Sequence, residues 1–240
     1  MSAFLSIAGV SKRFRGLVAV DHVACEVARG EVFAVIGPNG AGKTTLFNMI
    51  AGTLRPDEGE IRFLGERVDG LRPDQVCRRG IARTFQIVRP FPALTVEDNI
   101  MVGALLRTAD VARATASAHE VMRQLDLFDK RARPAKSLTL PDRKRLEVAR
   151  ALATAPQLLL LDEVMAGLRP TETDRIVAIL REINAGGMTI LLIEHVMRAV
   201  MALANRVLVL HHGAAIALGT PEAVTREPAV IESYLGAEAL

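Results

Sequence analysis

Residues 34–52, AVIGPNGAGKTTLFNMIAG, decide the fold. An apolar strand leads into a glycine-rich segment, and a helix-forming run follows. Glycines let the backbone turn tightly, so successive N–H groups point at one anion, and the helix start adds partial positive charge. A glycine-rich turn without a ligand is the alternative, but the strand and helix that the motif requires are both present. We therefore predict a phosphate loop that contacts a nucleotide through Gly37, Pro38, Asn39, Gly40, Ala41, Gly42, Lys43, Thr44 and Thr45.

Within that loop, two side chains have the chemistry of a triphosphate site. The Lys43 ammonium is long enough to reach β- and γ-phosphates, and the Thr44 hydroxyl is a suitable magnesium ligand.

Two later segments end in polar residues at the same predicted sheet edge. QLLLLDEVMAG (157–167) reads as a buried strand followed by Asp162 and Glu163, and MTILLIEHV (188–196) as a strand ending at His195. We predict that Asp162 binds magnesium through a water molecule and that Glu163 polarises the attacking water. A helix cap for the carboxylates and a structural role for His195 are the alternatives. The other four histidines, His22, His119, His211 and His212, are interpreted as surface or turn residues.

The order of elements predicts an α/β fold. Strand-like runs at 4–10, 19–28, 31–36 and 59–64 surround the phosphate-loop helix, and strands alternate with helices from 158 to 210. That alternation is typical of a parallel sheet. Residues 95–154 read as almost wholly helical, with breaks near 108–110 and 133–134, and no flexible linker flanks them. We interpret them as an inserted subdomain.

Composition bounds the function. The 240 residues carry a net charge of only +3, which gives no argument for nucleic acid, and half of them are hydrophobic. Cys25 and Cys77 fit no metal spacing and are expected to be reduced thiols in a cytosolic protein. We expect no signal peptide, and the apolar runs are far shorter than the roughly 18 residues of a membrane span.

Five motifs in order resemble those of ABC transporter ATPase subunits. They are the phosphate loop, FQ at 85–86, RKRLEVARAL at 143–152, LLLLDE at 158–163 and EH at 194–195. Two further segments, GIARTFQIVRPFPALTVEDNIMVGA (80–104) and GTPEAVTREPAVIESYLG (219–236), are similar to the ATPases of branched-chain amino acid importers, a group that also serves urea, amides and aromatic acids.

The resemblance implies a P-loop NTPase (RecA-like) parallel-sheet core with an N-terminal antiparallel β subdomain. It implies one domain over 1–240, with the core at about 1–87 and 156–240 and the helical subdomain at about 88–155. Catalytic roles fall to Lys43, Gln86, Glu163 and His195, and magnesium binding to Thr44, Gln86 and Asp162. Phe14 would stack on adenine, although an inward-packed Phe is the alternative, and Thr139 would contact ATP held by the other subunit of a dimer.

The implied cofactors are ATP and Mg²⁺. The implied partners are transmembrane permease subunits, a second ATPase subunit and, indirectly, a periplasmic solute-binding protein, with no nucleic acid. The chain would lie at the cytoplasmic face of the inner membrane as a peripheral subunit.

One motif departs from the family. Where it has a Leu-Ser-Gly-Gly-Gln type signature, this chain has LTLPD at 138–142. Thr139 keeps a hydroxyl, Leu140 adds bulk, Pro141 has no N–H to donate, and Asp142 is expected to bring an anion towards another anion. Thr139 also predicts a helix start. Val164 and Arg169 are further departures. We predict one weak composite site in a heterodimer; a normally working homodimer is the alternative.

Two other functions stay open at this stage. A soluble ABC-type clamp is disfavoured because no tandem cassette, coiled-coil insertion or basic arm is visible. A poorly hydrolysing regulatory subunit is disfavoured by Glu163 and His195 but favoured by Pro141.

Overall fold

Ten strands and nine α-helices make up the part of the chain that this computed structural model describes, residues 3–85 and 90–235. The strands are β1 (Leu5–Phe14), β2 (Leu17–Val27), β3 (Val32–Ile36), β4 (Glu58–Phe63), β5 (Glu66–Arg67), β6 (Ile81–Arg83), β7 (Leu158–Asp162), β8 (Thr189–Ile193), β9 (Arg206–His211) and β10 (Ala214–Gly219). The helices are α1 (Lys43–Ile50), α2 (Pro73–Arg78), α3 (Val96–Ala104), α4 (Val111–Gln124), α5 (Leu140–Leu152), α6 (Pro170–Ala185), α7 (Met197–Leu203), α8 (Pro221–Val224) and α9 (Pro228–Leu235).

The larger sheet has six strands in the order β10-β9-β3-β8-β7-β6. Strands β6, β7, β8, β3 and β9 pair in parallel, and β10 adds an antiparallel edge. Every residue of β3, β7 and β8 is buried, because helices or the second sheet cover both faces of these strands. The predicted α/β fold class is confirmed.

The smaller sheet is antiparallel, with strand order β2-β1-β4-β5. One hydrophobic core joins its inner face to α1 and to one face of the larger sheet, through residues such as Val23, Phe47 and Phe33. Helix α1 therefore lies between two sheets, and the loop that precedes it is held from both sides. Strand β1 runs four residues further than the predicted strand, to Phe14.

Three helices, α3 to α5, with the turns between them, form a helical block that is inserted between β6 and β7. Thr95 caps α3 and Asp110 caps α4, and both α4 and α5 pack against α3. The break predicted at 108–110 is present, but the second break extends from 125 to 139, because short 3₁₀ turns interrupt the chain there. The predicted division of the chain near residues 88 and 155 stays a prediction.

His119, interpreted from sequence as a surface or turn residue, is half-buried on α4. Its Nε2 lies 2.7 Å from Glu97 Oε1, and its ring meets Phe128 edge-on, so it ties α4 to α3. His22 and His212 are exposed, as predicted, and His211 is half-buried at the end of β9. Among the described residues, no helix is long and apolar enough to cross a lipid bilayer.

Candidate active site

The phosphate loop joins β3 to α1, and its backbone is fixed by close neighbours. Gly37 has a φ of +145°, and a Cβ there would lie 2.1 Å from the carbonyl oxygen of Leu210. Gly42 has a φ of +100°, and a Cβ there would lie 2.3 Å from the carbonyl oxygen of Ala19. The Gly213 N–H also donates to the Ala41 carbonyl at 3.1 Å. Strands β2 and β9 therefore clamp the loop, and only glycine fits at these two contact points.

Lys43 is folded back onto its own loop. Its Nζ donates to the carbonyl oxygens of Gly37 and Pro38, at 2.7 and 2.8 Å, and the side chain is buried. Burial lowers the pKa of Lys43, and the charges of Glu163 and Asp162 oppose that shift. These two carbonyl oxygens accept the hydrogen bonds that the ammonium could otherwise donate to phosphate oxygens.

A cavity of about 430 Å³ opens over the loop and brings several of the predicted site residues together. Its wall includes Phe14, Lys43, Thr44 and Glu163. Phe14 is 43% exposed, so the alternative of an inward-packed ring is wrong. Thr44 is exposed at the first turn of α1 and lines the same cavity.

Asp162 ends β7 and is almost fully buried. Its Oδ2 accepts a hydrogen bond from Arg83 Nη2 at 2.8 Å, and Arg83 Nη1 donates to Asn48 Oδ1 at 2.5 Å. Its other oxygen, Oδ1, is buried without a hydrogen-bond partner among residues 3–85 and 90–235. Arg83 is not among the site residues predicted from sequence, because a basic residue at the end of a short strand has no distinguishing pattern.

Glu163 follows directly, with a backbone in the left-handed region at φ +49°. Its N–H donates to the Ile193 carbonyl at 3.0 Å, and its carbonyl accepts a hydrogen bond from Lys144 Nζ at 2.9 Å. Its Oε1 lies 4.0 Å from Nδ1 of His195, an exposed imidazole that follows β8 by two residues. The strand ends at Ile193, so the prediction that it reaches His195 is wrong by two residues, but the imidazole lies beside the carboxylate.

Several charged side chains are buried next to this edge of the sheet. Glu194 is 1% exposed, and burial raises its pKa, while the N–H of Met165 donates to its Oε1 at 2.9 Å. Lys144 is 5% exposed, and Glu147 is 4% exposed and paired with Arg150. Lys144 lies between two arginines in sequence, within the run Arg143-Lys144-Arg145, where a solvated face would be the simplest expectation. However, Val148 and Ala151 follow Lys144 by four and seven residues on α5. This spacing places the three side chains on one face of the helix, and that face is buried.

The segment 138–142 starts α5. Thr139 is its N-cap and accepts a hydrogen bond from the Asp142 N–H at 3.4 Å. Leu140 is 38% exposed and lies over Gly167. Pro141 lies in the first turn of the helix, as predicted.

Asp142 does not face outward, so the prediction that it repels a bound phosphate is wrong. Its side chain is 5% exposed and lies 2.6 Å from Lys130 Nζ and 2.5 Å from an Arg145 nitrogen. Burial alone would raise the pKa of Asp142. Hydrogen bonds from Lys130 and Thr139 and the charge of Arg145 nevertheless hold it below its ordinary value. Two cations within the helical block thus compensate this carboxylate.

A second carboxylate, Asp126, extends that network. Its Oδ2 lies 3.2 Å from Arg145 on α5 and 2.6 Å from Arg175 on α6. The exposed Arg169 is the N-cap of α6, in the loop that follows Asp162 and Glu163. Gln86, predicted to bind magnesium and take part in catalysis, lies outside the described residues.

Two family models match the chain. One, described as ABC transporter, matches residues 20–166, and the other, described as branched-chain amino acid ATP-binding cassette transporter, matches residues 216–239.

Curated relatives and solved structures cover nearly the whole chain. The high-affinity branched-chain amino acid transport ATP-binding protein LivG of Escherichia coli (strain K12) is 40% identical, with 97% of each chain covered. The corresponding protein BraF of Pseudomonas aeruginosa is 38% identical, with the same coverage. A crystal structure of the ADP conformation of MJ1267, an ATP-binding cassette of an ABC transporter, superposes with a TM-score of 0.90 at 30% identity, covering 98% of this chain and 100% of that one.

Proposed function

Because the chain belongs to the ABC transporter family, as one of its ATP-binding ATPase subunits coupled to transport, we propose that it hydrolyses ATP with Glu163 to power solute import. One observation carries the proposal: Lys43, at the phosphate loop, and Glu163, at the end of β7, line the same cavity.

The residues divide the chemistry between them. The loop amides and Lys43 hold the triphosphate, and Lys43 exchanges its two carbonyl partners for β- and γ-phosphate oxygens. Glu163 orients and polarises a water, whose oxygen bonds to the γ-phosphorus as the bond to the leaving ADP oxygen breaks. The exposed His195, 4.0 Å from Glu163, faces the transferred phosphate. Phe14, at the rim of the cavity, stacks on adenine.

The donors present fit a magnesium ion. Asp162 Oδ1 is a buried carboxylate oxygen without a hydrogen-bond partner in the described chain, and oxygen is the ligand that Mg²⁺ requires. Asp162 and the Thr44 hydroxyl would hold the ion, together with Gln86. When bound, the ion neutralises charge that develops on the β- and γ-phosphate oxygens.

Permease subunits dock at the groove between the sheet core and the helical block. A cavity of about 320 Å³ lies there, and exposed apolar side chains, Phe85 and Val102, line it beside Arg150. Exposed apolar surface of this kind is typical of protein contacts. Attachment to the cytoplasmic face of the membrane through this groove makes the chain a peripheral subunit.

The imported solute is a branched-chain amino acid or a related small molecule such as an amide, urea or an aromatic acid. Similarity to LivG and BraF over 97% of the chain supports this class. A periplasmic binding protein would deliver the solute to the permease.

The altered signature supports an asymmetric dimer. In a head-to-tail pair, residues 138–142 close over the ATP of the other subunit, with Thr139 and the start of α5 facing its γ-phosphate. Pro141 lacks an N–H and the exposed Leu140 adds bulk, whereas Asp142 is compensated internally and contributes no repulsion. One lost charge-assisted hydrogen bond is worth roughly 1.5–3 kcal/mol. A partner with an ordinary signature would therefore close the stronger site, at this chain's phosphate loop.

Separate Glu→Gln changes in the two ATPase subunits test both ideas. We expect Glu163→Gln in this chain to abolish most of the ATPase activity of the purified complex, and the equivalent change in the partner to remove little. Equal losses would contradict the asymmetry and favour a homodimer-like arrangement. An unchanged rate with Glu163→Gln would contradict hydrolysis at this site and favour a regulatory subunit. An ATPase rate that is the same with and without the permease subunits would favour a soluble clamp.

A further inference from the structure

Lys144 is a buried lysine that hydrogen-bonds the backbone of the catalytic residue. Its side chain leaves α5, is 5% exposed, and donates from Nζ to the Glu163 carbonyl at 2.9 Å. Burying an ammonium is costly unless it is paired and hydrogen-bonded. An apolar residue of similar length would fill the same space at lower cost, so packing alone does not explain a lysine at this position.

The surroundings compensate the charge. Glu194 is 1% exposed, and its Oε2 is buried without a hydrogen-bond partner in the part of the chain described. Burial lowers the pKa of Lys144, and the charges of Glu194, Glu163, Asp162 and Glu147 oppose that shift. These four carboxylates come from three places, the end of β7, the residue after β8 and α5 itself, and together they favour a cation at one point behind the active site.

Glu163 needs support at this point because its backbone is strained. A non-glycine residue in the left-handed region costs roughly 1–3 kcal/mol and persists only where its surroundings hold it. Here the Ile193 carbonyl holds the N–H of Glu163, and Lys144 holds its carbonyl. The two contacts fix the peptide groups on both sides of the Cα, and therefore the direction in which the carboxylate leaves the chain.

We propose that Lys144 is a positioning residue for ATP hydrolysis, which keeps Glu163 in its left-handed conformation with the carboxylate turned into the phosphate cavity. This inference rests on the proposed catalytic role of Glu163. Lys144 follows Thr139 by five residues on one rigid helix, about 7.5 Å along its axis. The helix that meets the nucleotide of the partner therefore also orients the catalytic carboxylate of its own chain.

Steady-state kinetics of the purified complex, with Lys144→Met, Lys144→Arg or the control Lys136→Met introduced into this chain, test the inference. Lys136 is exposed and undergoes the same change of side chain. We expect Lys144→Met to lower kcat at least tenfold while the affinity for a fluorescent ATP analogue stays within twofold of wild type. Lys144→Arg, which retains a charged donor, should recover most of kcat, and Lys136→Met should match wild type.

Three results would overturn the inference: an unchanged kcat in Lys144→Met, a Lys144→Arg variant as slow as the Met variant, or a parallel loss of ATP affinity. If Lys144→Met does not fold, Lys144→Met/Glu194→Gln removes both opposite charges, and the folded double variant should bind ATP normally and stay slow. A double variant with wild-type kcat would also overturn the inference. Glu163→Gln, assayed beside them, separates the two proposals: if it is inactive while Lys144→Met is normal, only the positioning role fails.

Discussion

Replacing Gly37 by alanine should damage the phosphate loop by a geometric route that can be measured. An added Cβ would lie 2.1 Å from the carbonyl oxygen of Leu210, and real Cβ atoms essentially never approach closer than 3.0 Å. The loop must therefore move by at least about 0.9 Å, the difference between the two distances. Leu210 is a fully buried residue of β9, so the loop rather than the strand will give way.

The expected loss of ATP affinity follows from the hydrogen bond that a displaced loop N–H group would make to phosphate. A displacement of this size weakens or removes one hydrogen bond to phosphate, worth roughly 1.5–3 kcal/mol when the acceptor is charged. Since 1.4 kcal/mol is a factor of ten, the ATP dissociation constant should rise roughly tenfold to a hundredfold. Backbone strain at φ +145° adds roughly 1–3 kcal/mol of destabilisation.

Gly65→Ala is the matched control. Gly65 lies between β4 and β5, away from the phosphate cavity, and also has a positive φ, +81°, but nothing lies within 4 Å of its added Cβ, so that variant carries the strain without the collision. Fluorescence titration with an ATP analogue, after thermal melts confirm that both variants fold, gives the comparison. If Gly37→Ala binds ATP within twofold of Gly65→Ala, the close packing of the loop on β9 does not set its affinity, and the reasoning is refuted.

Two further predictions concern buried titratable groups. Asp142→Asn should lower the free energy of unfolding by roughly 1–2 kcal/mol at pH 7, because it weakens charge-assisted hydrogen bonds with Lys130 and Arg145. The folded-state pKa of Asp142 lies below its ordinary value. This stabilisation is therefore present above about pH 4 and is lost as the pH falls through the folded-state pKa. Urea unfolding that shows the same difference in stability between wild type and Asp142→Asn at pH 7 and at pH 3 would contradict the prediction. Burial raises the pKa of Cys25 to about 12, so iodoacetamide at pH 8 should leave it unmodified in the native protein while the half-buried Cys77 reacts, and both should react in urea. Mass spectrometry checks the labelling, and equal native rates at the two thiols would show that the burial of Cys25 is not protective.

The elements that sequence predicted well are those with local causes. The strand–loop–helix around Lys43 follows from glycine spacing and apolar runs within a few residues of each other. The leucine run before Asp162 predicts a central strand, because only a strand covered on both faces is apolar throughout. The α5 start at Thr139 follows from capping chemistry, which also depends on near neighbours.

The parts that sequence could not supply depend on distant partners. The direction of the Asp142 carboxylate is set by Lys130, which approaches through an irregular turn that has no periodic signal. The contact between Asp162 and Arg83 joins residues 79 positions apart, on neighbouring strands. Lys144 is intermediate, since helical spacing places it on the buried face but does not reveal that the Glu163 carbonyl is its acceptor.

Asp126 forms ion pairs with both Arg145 on α5 and Arg175 on α6, and these pairs affect how easily the two helices can move relative to each other. Arg145 and Arg175 bridge through this one carboxylate, so tilting α5 relative to α6 stretches one of two contacts. Asp126 and Arg175 are both more than a third exposed, and such ion pairs contribute only about 0.2–1 kcal/mol each, close to the thermal energy. This link therefore resists a change of angle between α5 and α6 only weakly, and screening by salt weakens it further.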